Sequence, residues 1–329
     1  MVSKLKFLQG RKFASAFAVA TLLSAGYAVA DTCPEINPEA LKWLDKMSRS
    51  AHEVNYQGVV TFQRGDDMQV MQISHTVSGQ SATESLTQLT GQGAQVVRVE
   101  HPLDCIHPGH RLLRLGTDLH TAAGDGSSAG TCGLSEHYRF SVTEGERVAG
   151  RKAVRIVVAP RDMYRYGYVM ELDKQTGLLL KTATIGRGDK VLENFQFANL
   201  SYGEGGSQTA DVDLVHEAEH PVVGRELVHE RSYSVDWGVG WLPNGFMATD
   251  SSSGGERRRT YTDGLAVFSV FLEILPRDIQ PGEGVVRRGG TTSYTRGVRM
   301  AGRPALITVI GEVPVNTARM VADSVALLQ

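Results

Sequence analysis

Tyr261-Thr-Asp-Gly-Leu-Ala-Val-Phe-Ser-Val-Phe-Leu272 sets an Asp263-Gly264 pair between two extended runs. Aspartate and glycine tolerate the backbone of a close chain reversal, so this pair is a strong short-range signal for a tight hairpin. Residues 265–272 are then a strand. Leu265, Val267, Ser269 and Phe271 face one way, Ala266, Phe268, Val270 and Leu272 the other, and both sets are mostly apolar. That pattern predicts a strand covered on both faces. Just before it, Trp241-Leu-Pro-Asn-Gly-Phe246 supplies a further turn, so the C-terminal region is built on strands.

The last residues return to helical spacing. Asn316 is a candidate cap, and Val321, Val325 and Leu328 would form the apolar stripe of a final helix. Upstream, residues 204–230 are rich in glycine and polar side chains with little period, and they predict a domain boundary. Before them the chain alternates like a meander. Strands are predicted at 58–64, 68–76, 81–89, 94–100, 138–148, 152–159, 167–172, 178–185 and 191–200, separated by turns such as Gly65-Asp66-Asp67 and Ala149-Gly150-Arg151. One helix precedes them, with Asn37 as cap, Pro38 in the first turn, and Leu41, Leu44, Met47 and Ala51 on one stripe. The fold class is mainly β (α+β): a large open, barrel-like sheet with a helix to plug its concave side, then a smaller C-terminal α+β domain.

The N-terminus reads as an export signal. Lys4, Lys6, Arg11 and Lys12 precede an uncharged stretch from Phe13 to Tyr27, and Ala28-Val29-Ala30 is a small-x-small cleavage site before Asp31. The mature chain is expected to be soluble, because no later stretch has the apolar length that a bilayer requires. The residues before Cys33 lack the small side chain that lipid attachment uses. The expected organisation is a signal peptide at 1–30, a large domain at 31–205, a linker at 206–230 and a small domain at 231–329.

Charge separates these parts. Residues 31–230 hold 19 basic and 27 acidic side chains, whereas residues 231–329 hold 11 basic and 9 acidic. Neither balance suits a nucleic-acid binder. All 11 cations of the second part are arginine, the side chain suited to bidentate pairing with carboxylates or phosphates. In an oxidising compartment Cys105 and Cys132 are a candidate disulfide that leaves Cys33 over, with three unpaired thiols as the alternative.

Two clusters could carry metal chemistry. His216-Glu217-Ala218-Glu219-His220 fits the His-Glu-x-x-His pattern of zinc hydrolases, in which two histidines one helical turn apart hold the metal. Pro221 follows directly, the segment lies in the presumed linker, and Glu226 stands where a third histidine would be sought. His101, Cys105, His107 and His110 have usable spacing, but Pro102 and Pro108 make the segment a loop, for which solvated histidines are the plainer reading. No nucleophile elbow, phosphate-binding loop or dinucleotide fingerprint is present, so the expectation is a non-enzyme with no cofactor and no bound metal.

An ordered set of short stretches resembles the RseB/MucB family of periplasmic regulators of the envelope-stress sigma factor. They are Tyr56-Gln-Gly-Val-Val-Thr-Phe62, Gln95-Val-Val-Arg-Val99, Val148-Ala-Gly-Arg-Lys-Ala-Val154, Pro160-Arg-Asp-Met-Tyr-Arg-Tyr-Gly167, Leu172-Asp-Lys-Gln-Thr-Gly-Leu178, Glu193-Asn-Phe-Gln-Phe197, Trp241–Phe246, Asp263–Phe271 and Gly311-Glu-Val-Pro314. The resemblance implies a large domain similar to lipoprotein carriers with an apolar cavity, and no enzymatic activity. It also implies binding to the periplasmic part of an anti-sigma factor (RseA or MucA), which is shielded from the site-1 protease until lipid or lipopolysaccharide signals release it. Residues 116–133 have no family counterpart and read as an inserted loop.

Under that reading Phe62, Val97, Val99, Ile156, Val158, Phe195 and Phe197 are the candidate cavity residues. Arg257, Arg258, Arg259, Trp241 and Phe246 are candidates for partner contact, by pairing with acidic side chains or phosphates and by aromatic anchoring. A strand end in solvent and a buried core are the plainer alternatives for these two groups. A lipid or lipoprotein carrier without a regulatory partner is the second functional reading, a secreted zinc hydrolase using His216, Glu217 and His220 the third. Homo-oligomerisation stays open.

Overall fold

Nine antiparallel strands form the first sheet: β1 (Tyr56–Arg64), β2 (Asp67–Ser78), β3 (Ser81–Gln88), β4 (Val96–Val99), β5 (Tyr138–Val148), β6 (Arg151–Pro160), β7 (Gly167–Asp173), β8 (Leu179–Ile185) and β9 (Val191–Tyr202). The computed structural model describes residues 37–78, 81–90, 96–99, 133–203, 236–249 and 257–328. The signal segment, the linker with His216, Glu217 and His220, and the loop with His101, Cys105, His107, His110 and Cys132 lie outside the described residues. The strand order is β4-β3-β2-β1-β9-β8-β7-β6-β5. Two meanders are thus joined where β1 pairs with β9, Val60 opposite Phe197 and Phe62 opposite Phe195. Among the described residues β4 and β5 end the sheet and are not paired with each other, so the sheet they form is open, as the strand pattern predicts.

Local chemistry sets the turns. Val148 pairs with Arg151, leaving Ala149 and Gly150 as a two-residue reversal with φ of 46° and 76°. Positive φ at both central positions is what a right-twisted hairpin requires, and glycine supplies it without a Cβ clash.

Helix α1 (Pro38–Glu53) starts where the sequence places it. The Asn37 side-chain oxygen accepts from the Glu39 amide at 2.9 Å, and Pro38 occupies the first turn. Ala40, Leu44, Met47 and Ala51 are buried against Ile156, Val158, Met170 and Leu172 of the first sheet. Each fully buried Leu or Met side chain contributes about 1.5–3 kcal/mol, so this stripe anchors the helix.

A short helix, α2 (Leu134–His137), precedes β5. The second sheet comprises β11 (Met247–Ala248), β12 (Arg258–Thr262), β13 (Val267–Ile274), β14 (Gly284–Arg288), β15 (Thr291–Met300) and β16 (Arg303–Gly311), in the order β11-β12-β13-β16-β15-β14. Its covered face meets helix α3 (Val315–Asp323), and a small ribbon pairs β10 (Trp237–Val239) with β17 (Val325–Leu327).

Two expectations are corrected here. In β13, Phe268, Val270 and Leu272 are buried, but the alternate Val267, Ser269 and Phe271 are not, and Phe271 is 36% exposed. Only the face with Phe268, Val270 and Leu272 is fully covered, in the core that α3 helps to form; Leu265, predicted on the other face, is buried too, but in the core of the first sheet. The last helix also ends sooner: Pro314 is its cap, Asn316 lies inside it, and Val325 and Leu327 belong to β17. Val325 is buried by the ladder to Val239 rather than by a helical stripe, so tertiary pairing overrides the helical spacing.

Candidate binding cleft

The loop between β6 and β7, residues 161–166, carries Asp162, Tyr164, Arg165 and Tyr166 into the second sheet. Asp162 shapes it by accepting the Tyr164 amide at 2.9 Å. Arg165 then spans the two sheets. Its Nε donates to Asp263 Oδ2 at 2.6 Å, its other nitrogens reach Asp162 and the Asn244 carbonyl, and its guanidinium lies 5.0 Å from the centre of the Phe246 ring. Both the Arg165 and Asp263 side chains are fully buried.

Asp263 is the aspartate of the hairpin signal, and its two oxygens divide their work. Oδ1 accepts the amides of Leu265 (2.9 Å) and Ala266 (2.7 Å), which shapes the reversal. Oδ2 accepts from Arg165 and from the Tyr138 hydroxyl at 3.0 Å. Because Thr262 pairs with Val267, the reversal has four residues rather than two. Burial, then the Asp263 carboxylate, pushes the Tyr138 hydroxyl well above its ordinary pKa, and burial followed by the Arg165 charge holds His137 below its own.

Three further contacts run in parallel. The Tyr166 hydroxyl donates to the Val313 carbonyl at 3.2 Å, Thr317 Oγ1 donates to the Tyr164 carbonyl at 3.1 Å, and the rings of Tyr164 and Trp241 meet edge-on at 5.2 Å. Beside this clasp lies a cleft of about 630 Å³. One wall is the 160–169 segment, a second is the turn around Arg187 and Lys190, and the third is Arg287 with the start of α3 as far as Met320. Arg187, Lys190, Arg287 and Arg319 outnumber Asp162 and Asp189 at its rim, so the cleft favours an acidic occupant with apolar parts.

The predicted site residues fall in several places. Ile156 and Val158 are buried under α1, whereas Phe62, Phe195 and Phe197 are buried in a neighbouring cluster with Tyr56, Val60 and Ile73. Ladder register puts these five on one face of the first sheet, with Phe62 opposite Phe195, Phe195 opposite Thr182, Thr182 opposite Met170 and Met170 opposite Ile156. Val97 and Val99 stand opposite Leu86 and Glu84. The five described side chains are packed core, and of them only Val158 also reaches the cleft.

Of the partner candidates, Arg257 and Arg258 are exposed. Arg259 is tied down, 4.9 Å over the Trp237 ring and 3.7 Å from Asp236. Trp241 is engaged with Tyr164, and Phe246 is 5% exposed beneath Arg165, so Phe246 offers no surface to a partner in this arrangement. Sequence reasoning assigned no role to Arg165, Tyr164 or Tyr166. Their signal was a six-residue loop between strands, too long for a simple reversal and loaded with arginine and tyrosine, as functional loops are.

Among the described residues, no group of three or more His, Cys, Asp or Glu could hold a metal ion, and no helix is long and apolar enough to cross a membrane.

The models of the MucB/RseB N-terminal domain and the MucB/RseB C-terminal domain match residues 39–219 and 231–326. The sigma factor AlgU regulatory protein MucB of Pseudomonas aeruginosa is 33% identical over 298 residues, covering 87% of this chain and 90% of that protein. The sigma-E factor regulatory protein RseB of Haemophilus influenzae is 26% identical over 288 residues, covering 86% and 89%. The crystal structure of MucB in complex with MucA(peri) matches with a TM-score of 0.65 at 29% identity, covering 88% of this chain and 99% of that one. The crystal structure of MucB alone matches with a TM-score of 0.52 at the same identity, covering 89% and 99%.

Proposed function

Because the chain belongs to the MucB/RseB family, whose named relatives regulate sigma factors, we propose that it is a periplasmic negative regulator of an envelope-stress sigma factor. It works by binding and not by catalysis. It grips the periplasmic part of a membrane-embedded anti-sigma factor, shields it from site-1 proteolysis, and lets go when a lipid or lipopolysaccharide signal arrives. The observation that carries this reading is the cleft whose walls come from both sheets, held in register by the buried Arg165–Asp263 pair. A preformed concave site spends less of its binding energy on ordering itself. The higher TM-score against MucB bound to MucA than against MucB alone supports taking this arrangement as the gripping one.

The division of labour follows the proposed organisation, with the signal peptide at 1–30, the large domain at 31–205, a linker at 206–230 and the small domain at 231–329. The apolar face of the first sheet takes the acyl chain, at about 0.8 kcal/mol per buried methylene, so a few methylenes rival a modest protein interface. Such a ligand releases the partner only if it binds the released form better than the gripping form. Since Phe62, Phe195 and Phe197 are packed core here, uptake requires α1 or these rings to move, which couples occupancy to shape. Calorimetric titration of the complete mature chain and of residues 31–205 with the anti-sigma segment tests this. Tight binding by the complete chain alone is expected, and equal affinity of the two would overturn the role given to the second sheet.

A further inference from the structure

We propose that the outer edge of β14 receives an extended acidic segment of the bound partner as an additional strand of the second sheet. This rests on the regulator reading above and adds to it the manner of contact. β14 ends the sheet and pairs only with β15, from Gly284 opposite Thr295 to Arg288 opposite Thr291, with no register shift. All five of its residues are exposed, Val285 at 53% and Val286 at 64%. In a strand, successive residues turn their backbone groups to opposite sides, so one alternate set of β14 peptide groups faces away from β15 without a ladder partner. Natural sheets blunt such edges with bulges, proline or charged side chains; β14 has no bulge or proline within its length, and its charges, Arg287 and Arg288, are confined to one end.

This edge is held in place from both ends. Ahead of it, Pro281 lies against Gly297, where an added Cβ would fall 2.5 Å from the Pro281 carbonyl oxygen, and Glu283 accepts from the Tyr294 hydroxyl at 2.7 Å. After it, the turn at Gly289 rests on the first sheet: a Cβ there would run into the Glu193 side chain, which itself accepts from Arg64 Nε at 2.9 Å. A tethered, extended strand is a template that costs an incoming segment little reorganisation.

Charge selects the occupant. Arg287 lines the cleft and Arg288 follows it on the same strand, and both are exposed. An acidic segment laid along this edge neutralises both arginines, which sit side by side at one end of the strand. Among the described strands, the opposite edge is the two-residue β11, too short to serve as a template. Five residues of extended chain span roughly 17 Å, so the incoming segment needs about that length of alternating acidic and apolar residues.

The test uses the complete mature chain and the purified periplasmic part of its anti-sigma factor. Backbone amide exchange is followed with and without partner, and affinity is measured for Val285→Pro, Val286→Pro and the double variant Arg287→Glu, Arg288→Glu. The proposal expects slowed exchange at alternate β14 amides only in the complex, at least tenfold weaker binding by one proline variant, and a flatter salt dependence for the charge-reversed variant. Unchanged β14 exchange in a wild-type complex would overturn strand addition and leave the regulator reading standing, even if the proline variants fail to fold. Protection that appears without partner and grows with concentration would assign the edge to a second copy and overturn the proposal. Failure of the wild-type chain to bind at all would remove the regulator reading itself.

Discussion

Arg165 Nε and Asp263 Oδ2 lie 2.6 Å apart across 98 residues of sequence, with both side chains buried from solvent. The pair joins the β6–β7 loop to the β12–β13 reversal, and it therefore fixes how the two sheets flank the cleft. A charge removed from water is tolerable only when its partner stays in place, so the energetic weight of this contact lies in the cost of breaking it.

Asp263→Asn tests that weight. The amide keeps an oxygen for the Leu265 and Ala266 amides but offers either no charge or an opposing donor to Arg165. Arg165 keeps Asp162 as its remaining carboxylate, so weakening its bond to Asp263 is expected to cost about 1.5–3 kcal/mol in urea denaturation, the range for a hydrogen bond to a charged group. Tyr138→Phe, which removes only a neutral donor to the same oxygen, is expected to cost about 1 kcal/mol.

A pH effect comes from the other end of the first sheet. Burial among apolar side chains pushes the Glu84 carboxyl up to about 7 from its ordinary 4.5. Between these values the folded chain keeps a proton that the unfolded chain has released, so stability falls as pH rises through that window. The loss amounts to about 3 kcal/mol above pH 7. His75, opposite Glu84 in the ladder and held below its ordinary pKa by burial, acts in the reverse sense as pH falls below 6.5. Glu84→Gln isolates the carboxyl: the stability gap between variant and parent is expected to be flat below pH 4 and to shift in favour of the variant by about 3 kcal/mol by pH 8. A gap that does not change with pH would remove Glu84 from the balance.

Arg257 and Arg258 remain exposed, whereas Arg259 is held over Trp237. Arg257→Ala with Arg258→Ala is expected to weaken binding of the anti-sigma segment several-fold at low salt and less at high salt, because exposed charge pairs are screened over about 8–10 Å. Unchanged affinity at both salt concentrations would return these arginines to a solvated strand end.

What was legible in the sequence was what is local. The β5–β6 hairpin shows itself through Ala149-Gly150 between alternating runs, and α1 through Asn37, Pro38 and its stripe. The pairing of β1 with β9 was not legible, since each strand also satisfies its pattern with a sequence neighbour and Phe62 meets Phe195 only because two strands far apart in the sequence become neighbours. Helical spacing at Val321, Val325 and Leu328 misled, because a strand to Trp237–Val239 buries Val325 equally well. The clasp was half visible: the hairpin signal found Asp263, but nothing in sequence order connects it with Arg165.

In the proposed function the two sheets act as one grip that hides the partner from cleavage. Its most direct test is the rate at which site-1 protease cuts the anti-sigma periplasmic segment in the presence of increasing amounts of the complete mature chain. Cleavage is expected to fall to near zero at one equivalent and to return when an acylated lipopolysaccharide fragment is added. Cleavage that continues at the uninhibited rate under saturating chain would contradict it.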